Sequence, residues 1–171
     1  MASASSRSAP PLSPTNTANT DDTSRSLRTF DGDGFRRRAA AIAFQELPDS
    51  GERRVLIVAS SRQPDLWILP GGGIELGESD AQAAAREAFE EAGAIAAGEA
   101  SFLTTVDNAD KRQRTQLFAL RVAALAEEYE DARRRARAWV SIPRAEQLLA
   151  AMPAQAACFA AGLAALGWER G

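Results

Sequence analysis

The sequence contains no histidine and only one cysteine among its 171 residues. The lack of histidine excludes nucleophiles activated by histidine, histidine general bases and histidine-ligated zinc sites. The single cysteine, Cys158, excludes an intramolecular disulfide bond and is typical of a reducing compartment. Because Cys158 lies in an alanine-rich helical stretch, we interpret it as a small buried residue rather than as a nucleophile.

Lysine is almost absent as well. Lys111 is the only lysine among 20 basic residues, and the formal net charge is −3. This balance offers no basic surface for wholesale nucleic-acid binding, so we expect no stable nucleic-acid complex. Arginine supplies the remaining positive charge, and its planar fork matches phosphate oxygens in a bidentate way. A compositional bias accounts for the arginine and alanine content, but it does not decide where the arginines lie.

The chain length predicts one domain with enough residues to bury a core. Residues 1–27 are rich in Ser, Thr, Pro and Asn and poor in apolar residues, so we predict a disordered N-terminal tail before a domain over 28–171. The tail has no apolar run that a secretory signal needs. We expect a cytoplasmic protein that also enters the nucleus. The weaker alternative is an organelle, because the Ser/Thr-rich start weakly resembles a transit peptide.

Apolar runs bounded by turn residues predict strands at 39–44, 54–59, 100–106, 115–125 and 138–142, the first two paired as a hairpin. Helical spacing predicts helices at 144–151 and 154–167, which Pro153 separates. The run 148–168 could span a bilayer on length alone. Because Pro153, Gln155 and Gly162 interrupt it, we expect a terminal helix docked on the domain and no membrane association. We also expect a monomer. The mixture predicts an α/β fold with a mixed β-sheet sandwiched between α-helices.

The most informative stretch runs from Pro70 to Gly93 and combines a glycine turn with a helix that carries three glutamates. On a helical wheel, Glu90 lies about 60° to one side of Glu87 and Glu91 lies about 40° to the other. The three carboxylates therefore share one narrow stripe. Like charges at this spacing repel each other, whereas a divalent cation would stabilise them because hard cations bind carboxylate oxygens.

The start of this helix is also encoded. Ser79 is placed to act as the N-cap, and Gln82 lies three residues later, as a capping box requires. Arg86 precedes Glu90 by four residues and can reach its carboxylate. The glycine turn allows a ligand or metal to approach the main chain. We expect the helix to pack against the core through its small and apolar residues, Ala81, Ala85, Ala88, Phe89 and Ala92.

Clustered glutamates on a helix usually form a solvated face, but here other residues stand at fixed positions around them. The set is Gly72, Glu78, Arg86, Glu87, Glu90, Glu91 and Gly93. This spacing resembles the Nudix box. Nudix hydrolases cleave a nucleoside diphosphate, or a similar diphosphate, linked to another group. The resemblance implies the Nudix fold and a divalent cation.

Other segments extend the resemblance over residues 28–142: RTFDGDGFRRRAA, SSRQPDLWILPGGG, KRQRTQLFAL and the tryptophan of RARAW. Together they resemble the diphosphoinositol polyphosphate phosphohydrolase subgroup of Nudix enzymes. Members of that subgroup cleave the diphosphate of inositol pyrophosphates. They also act on diadenosine polyphosphates, and some act on inorganic polyphosphate.

The resemblance implies a role for each matching residue. Magnesium, or alternatively manganese, would be bound by Glu87, Glu91 and the carbonyl of Gly71, and Glu90 would be the catalytic base. Glu78 and Arg86 would support this set. Substrate phosphates would be held at the following positions: Arg28, Arg36, Arg37, Arg38, Ser60, Ser61, Arg62, Gly71, Gly72, Gly73, Lys111, Arg112 and Gln113.

The sequence departs from the subgroup at two of its positions. Gln113 stands where the family usually has histidine, and Ala136 stands where a basic residue helps to grip the substrate. Arg135 and Arg137 flank Ala136, and the run 133–137 either joins the pocket or is a solvated charge run. These departures bear on the inositol-ring preference more than on hydrolysis.

Our hypothesis from the sequence is a magnesium-dependent pyrophosphohydrolase whose partner is a small anionic polyphosphate, either an inositol pyrophosphate or a dinucleoside polyphosphate. One alternative is a Nudix hydrolase directed at nucleotides such as capped RNA or nucleoside diphosphate derivatives, which should offer aromatic side chains to stack a base. The other alternative is a non-catalytic polyphosphate sensor, for which Glu90 would not be needed.

Overall fold

Eight strands and three helices make up the folded part of the computed structural model, which describes residues 28–169. The predicted tail at 1–27 lies outside the described residues. The strands are β1 (Arg36–Glu46), β2 (Arg53–Ala59), β3 (Trp67–Ile68), β4 (Gly71–Gly73), β5 (Ala94–Ala96), β6 (Ser101–Asn108), β7 (Gln113–Leu125) and β8 (Arg137–Ser141). The helices are α1 (Asp80–Ala92), α2 (Ile142–Leu149) and α3 (Pro153–Leu166).

Strand β1 lies at the centre of a mixed sheet. It runs parallel to β7 from Arg36 to Phe44 and antiparallel to β2 near its far end, where Phe44 lies opposite Val55. Its basic start also pairs antiparallel with β4, with Arg38 opposite Gly73. The predicted hairpin of β1 and β2 is confirmed. The pairing with β4 aligns the arginines of β1 with the glycine turn.

The sheet carries a core on each face, because side chains alternate between the two faces of a strand. On one face Ile42 and Leu117 pack with Phe159 and other residues of α2 and α3. On the opposite face, buried residues of β1, β2 and β7 pack with Ala88 and Ala92 of α1. The predicted α/β fold, a mixed sheet sandwiched between helices, is confirmed.

The predicted core-facing side of α1 is confirmed for Ala81, Ala85, Ala88 and Ala92 and is wrong for Phe89. Phe89, which we expected to be buried, is 42% exposed, whereas Ala83 and Ala84 are fully buried. Phe89 lies about 160° around the helix from Glu91, and Glu91 is itself buried at 7% exposure. The helix therefore turns its carboxylate stripe inward towards the sheet, which leaves Phe89 on the outside.

The C-terminal helices occur close to the predicted bounds. Pro153 separates the two helices as predicted, and it is itself the first residue of α3, a position that its fixed φ angle suits. Strand β5 was not predicted, since its three-residue Ala-Ile-Ala sequence has a weak strand signal. Among residues 28–169, no helix has the length and apolarity needed to cross a membrane.

Candidate active site

A cleft of about 1120 Å³ lies where the glycine turn meets α1 and the basic start of β1. The turn can pass this close only because it has no side chains. A Cβ on Gly71 would lie 2.6 Å from the carbonyl oxygen of Ala39, and one on Gly72 would lie 2.2 Å from Oε1 of Glu87. The carboxylate of Glu87 therefore rests directly on the main chain of the turn.

The two ends of α1 are fixed by caps. The Ser79 hydroxyl accepts a hydrogen bond from the backbone N–H of Gln82, and the Gln82 side chain accepts one from the backbone N–H of Ser79. At the other end, Gly93 adopts a left-handed conformation with φ of 64°, and its N–H donates to Ala88 and Phe89. The predicted capping box is confirmed, and it orients the stripe of glutamates.

Arg86 ties the stripe to the turn. Its guanidinium donates to both carboxylate oxygens of Glu78, at 2.7 and 3.0 Å. It also donates to Glu87 at 3.0 Å, to Glu90 at 3.1 Å and to the carbonyl oxygen of Gly73 at 2.9 Å. The hydrogen bonds that Arg86 donates to Glu78 are the main reason that the pKa of Arg86 is raised. Glu78 and Arg86 thus hold the glutamate stripe in register with the glycine turn.

The three glutamates of the stripe differ in exposure. The side chains of Glu91 and Glu87 are only 9% and 13% exposed, whereas that of Glu90 is 34% exposed. One oxygen of Glu91 accepts from the N–H of Gly71 at 3.0 Å. The other accepts from Nη1 of Arg135 at 2.8 Å. Glu90 is therefore the member of the stripe with the most open access to water.

Burial raises the pKa of all three carboxyl groups, and that of Glu91 reaches about 7. The neighbouring charge of Glu87 contributes to the shift at Glu91, and that of Glu90 to the shift at Glu87. Removing charged oxygens from water and placing them side by side is costly unless a cation compensates. The stripe is thus prepared for a positively charged partner.

The donors at this stripe suit a hard divalent cation. Glu87 and Glu91 both line the cleft, and the carbonyl oxygen of Gly71 accepts from Arg38 at 3.2 Å on the same side. Within residues 28–169, no three acidic, histidine or cysteine side chains converge as a ready-made metal cluster. Two carboxylates with a main-chain carbonyl form an all-oxygen set, which fits magnesium because that ion usually keeps several waters.

Basic and polar side chains form another part of the cleft lining, which we call the basic wall. Eight of the side chains predicted to hold phosphates line the cleft: Arg28, Arg36, Arg38, Ser60, Ser61, Arg62, Lys111 and Gln113. Nε of Arg36 is buried without a hydrogen-bond partner. Burial, followed by the charges of Arg38, Arg28 and Arg62, lowers the pKa of Arg36. A polyanion would relieve both the repulsion and the missing hydrogen bond.

Two predicted phosphate-binding residues are not brought into the cleft. Arg37 points to the other face of the sheet, since neighbouring residues of a strand alternate, and it pairs there with Asp80 at the start of α1. Arg112 donates to the carbonyl oxygen of Asp33 at 2.9 Å and lies over the ring of Phe35. For these two residues the structure supports packing contacts instead.

Arg114 was not singled out from the sequence, yet it organises the rim of the cleft. Its guanidinium bonds Asp31 at 2.8 Å, Asp33 at 2.9 Å and Asp107 at 2.9 Å. It also lies 4.8 Å from the ring centre of Phe35. The sequence does not reveal these ion pairs, because the three aspartates come from segments on both sides of the Nudix box.

Helix α3 forms a further wall that sequence reasoning missed. Met152, Gln155 and Cys158 line the cleft. The side-chain oxygen of Gln155 accepts a hydrogen bond from the N–H of Leu69 at 2.9 Å, just before the glycine turn. Cys158 is buried as predicted, and burial raises the pKa of its thiol to about 11. No local pattern could indicate the contact with Leu69, since 86 residues separate the partners.

Comparison with known proteins agrees with this geometry. The family model described as NUDIX domain matches residues 36–161. Diphosphoinositol polyphosphate phosphohydrolase 2 of Rattus norvegicus is 40% identical over 124 residues, which span 71% of this chain and 67% of that protein. Diphosphoinositol polyphosphate phosphohydrolase 3-alpha of Mus musculus is 43% identical over 126 residues, which span 71% of this chain and 74% of that protein.

A solved structure shares the fold at lower identity. The Ap4A hydrolase of C. elegans, crystallised as a binary complex, superposes with a TM-score of 0.55 and 20% identity, and the match covers 76% of this chain and 98% of that one. At that identity the likeness is one of fold. The assignment of this chain to a family therefore rests on the family model and the two relatives above. This chain is a Nudix hydrolase that belongs to the NUDIX domain family, in the group of the diphosphoinositol polyphosphate phosphohydrolases.

Proposed function

We propose that this Nudix hydrolase uses magnesium to cleave a phosphoanhydride bond in diphosphoinositol polyphosphates and diadenosine polyphosphates. The observation that carries the proposal is the cleft itself, because the stripe of Glu87, Glu90 and Glu91 and the basic wall line the same cavity. The two relatives of at least 40% identity are both named diphosphoinositol polyphosphate phosphohydrolase, which supports inositol pyrophosphates as the substrate class.

Phosphoryl transfer needs little covalent help, since its requirements are neutralised charge and a water in line. A divalent ion held by Glu87, Glu91 and the Gly71 carbonyl would neutralise phosphate oxygens and lower the pKa of bound water. Glu90, oriented by Arg86 at 3.1 Å, accepts the proton of the attacking water. Burial raises the pKa of Glu90 above its ordinary value, which strengthens it as a base near neutral pH.

The lining of the cleft favours phosphate recognition over base recognition. Among the described residues that line it there is no Phe, Tyr or Trp side chain. A nucleotide-directed site would be expected to stack a base on an aromatic ring. Arginines, serines and one lysine line it instead, and they suit a compact and highly charged polyphosphate. On this account the adenosines of a diadenosine polyphosphate contribute little to binding.

Replacement of Glu90 with Gln tests the catalytic assignment. We expect phosphate release from an inositol pyrophosphate and nucleotide release from diadenosine hexaphosphate to fall by about 10²- to 10⁴-fold, because the general base is lost. Glu99→Gln, a matched change at an exposed position, should retain full turnover. Undiminished hydrolysis by Glu90→Gln would end the assignment. If the unaltered protein bound polyphosphate in calorimetry but released no phosphate with magnesium, the sensor alternative would be favoured.

A further inference from the structure

Four arginines lie at 133–137, three in the loop between β7 and β8 and Arg137 at the start of β8, and they do not act as one charge run. Arg133 and Arg134 are exposed. Arg137 is held by the end of α1, since its Nη1 donates to the carbonyl oxygens of Ala92 at 2.7 Å and Ala126 at 2.8 Å. Its guanidinium also lies over the ring of Tyr129. Of the four, Arg135 is the one that lines the cleft.

Arg135 lies between two carboxylates. Its Nη1 donates a hydrogen bond to Oε1 of Glu91 at 2.8 Å, whereas its buried Nε lies 2.8 Å from Oδ2 of Asp131 in an ion pair that is not aligned as a hydrogen bond. All three side chains are largely buried, at 13% exposure for Arg135 and Asp131 and 9% for Glu91. The guanidinium thus bridges an acid of the stripe to an acid of its own loop.

The backbone of the loop fixes this position. The N–H of Asp131 donates to the carbonyl oxygen of Glu90 at 3.0 Å, and the N–H of Arg135 donates to that of Asp131 at 3.0 Å. The loop therefore turns directly above the stripe. Ala136, which replaces the basic residue of the subgroup, is exposed, and its carbonyl oxygen accepts from the N–H of Ala59 at 2.8 Å. Position 136 therefore gives the cleft no positive charge, and the preceding residue, Arg135, supplies one instead.

We propose that Arg135 is a resident counter-ion of Glu91. It balances that carboxylate in the metal-free protein, competes with the divalent cation for it, and is released on cation binding to contact substrate phosphates while it remains anchored to Asp131. This inference rests on the proposed function in one respect, namely that Glu91 helps to hold the cation. Arg135 thus acts on cation binding as a positioning residue, through Glu91. Its contact with substrate phosphates would replace the one that a basic residue at position 136 makes in the subgroup.

A carboxylate as buried as Glu91 is costly without a positive partner, and the guanidinium supplies one. A divalent ion bound to the same carboxylate would lie within a few ångströms of the guanidinium, where two like charges repel by several kcal/mol at an intermediate dielectric. Arg135 must therefore weaken cation binding while it stabilises the protein without the cation.

Calorimetric titration with magnesium alone tests this point on the whole chain, without substrate. Arg135→Gln should bind magnesium about tenfold more tightly than the unaltered protein, since the competing charge is gone. Arg134→Gln removes an equal charge from the same loop, but its side chain is 76% exposed and lies 3.9 Å from Asp131. Its magnesium affinity should stay close to that of the unaltered protein.

Two further measurements separate competition from a loss of structure. Metal-free Arg135→Gln should melt at a lower temperature than the unaltered protein, and magnesium should raise its Tm by more. Arg135→Lys keeps the positive charge but not the planar guanidinium that spans Glu91 and Asp131. Its magnesium affinity should therefore lie between those of the unaltered protein and of Arg135→Gln. It keeps the test decisive if Arg135→Gln does not fold. Unchanged or weaker magnesium binding by the folded variants, or equal effects of Arg134→Gln and Arg135→Gln, would overturn the proposal.

The substrate contact has its own readout. At saturating magnesium, Arg135→Gln should raise the KM for the inositol pyrophosphate more than it lowers kcat, because a phosphate contact is lost while Glu90 is intact. An unchanged KM would refute this part. The magnesium titration contains no substrate, so its outcome does not depend on which polyphosphate the enzyme hydrolyses or on whether Glu90 is the base.

Discussion

At the scale of the residue, Gly72 decides whether Glu87 can lie against the turn. A Cβ at position 72 would be 2.2 Å from Oε1 and 2.4 Å from the carboxylate carbon of Glu87. Gly72→Ala should displace that carboxylate and reduce kcat/KM by about 10²-fold, the usual cost of a misplaced catalytic group. The measurement is magnesium-dependent phosphate release.

The matched change is Gly98→Ala. A Cβ at Gly98 would meet no atom within 4 Å, so activity and stability should be unchanged there. If Gly72→Ala retained full activity with an unaltered magnesium affinity, the close packing of Glu87 on the turn would have no part in catalysis.

Asp31 and Arg114 give a pH dependence. The pKa of Asp31 lies below its ordinary value of 3.8, chiefly because the N–H of Phe35 donates to it and also because Arg114 is near. The folded state therefore binds this proton less readily than the unfolded state does. The stabilisation is present at neutral pH, starts to fall as the pH approaches 3.8, and is lost below the folded-state pKa.

Arg114→Gln should consequently lower the free energy of unfolding at pH 7, and the deficit should shrink as the pH approaches the acid limit of stability. Urea unfolding at several pH values measures it, with the exposed Arg133→Gln as the control. A deficit that stays constant over the whole acid range would show that this ion pair is not the cause.

Residue-level prediction from sequence succeeded where a period or a motif sets the geometry. Helical periodicity alone places Glu87, Glu90 and Glu91 on one stripe, and the structure has them together. The alternation of a strand could have separated Arg37 from its two neighbours, but the start of β1 was predicted three residues too late. The different contacts of Arg135 and Arg137 depend on a loop conformation that no local pattern encodes.

At the scale of the element, α3 supports the turn through a single hydrogen bond. The oxygen of Gln155 accepts from the N–H of Leu69, a residue that is 2% exposed. Gln155→Leu would leave that buried donor unsatisfied, at a cost of about 1–3 kcal/mol in the free energy of unfolding. Because Leu69 directly precedes the turn, magnesium-dependent turnover should fall as well. Denaturant unfolding and a rate assay measure the two effects.

Gln147→Leu provides the comparison, since Gln147 lies exposed on α2 and accepts from Arg144 on the same helix. It makes the same chemical change and should alter stability by less than about 0.5 kcal/mol. If the two variants lost the same free energy of unfolding, the hydrogen bond to Leu69 would stabilise the fold no more than the exposed one on α2.

Elements with local signals were predicted well. The capping box of α1 is written in four consecutive residues, and the long apolar runs of β2 and β7 are unambiguous. Strand β5 was missed because its few residues gain their pairing from β7, which is distant in sequence. The burial of Glu91 and the exposure of Phe89 were missed for the same reason, since only the sheet determines which side of α1 turns inward.

At the scale of the whole molecule, seven basic and seven acidic residues line the cleft of a chain with net charge −3, so a bound divalent cation would make the cleft net positive. The KM for a highly charged inositol pyrophosphate should therefore rise about three- to tenfold between about 50 and 300 mM salt, as screening weakens the attraction. Neutral sucrose at matched osmolality should leave it unchanged. A KM that is independent of salt would contradict electrostatic capture of the substrate.

The central claim is that the glutamate stripe and the basic wall together hydrolyse a phosphoanhydride of a compact polyphosphate. The most direct test is a panel of an inositol pyrophosphate, diadenosine hexaphosphate, a nucleoside diphosphate sugar and a capped RNA with magnesium, in which hydrolysis is measured as released phosphate for the first and as released nucleotide for the other three. We predict turnover of the first two alone and its loss when the divalent ion is chelated. Turnover confined to the sugar nucleotide or the capped RNA, or activity that persists in the chelator, would contradict the account.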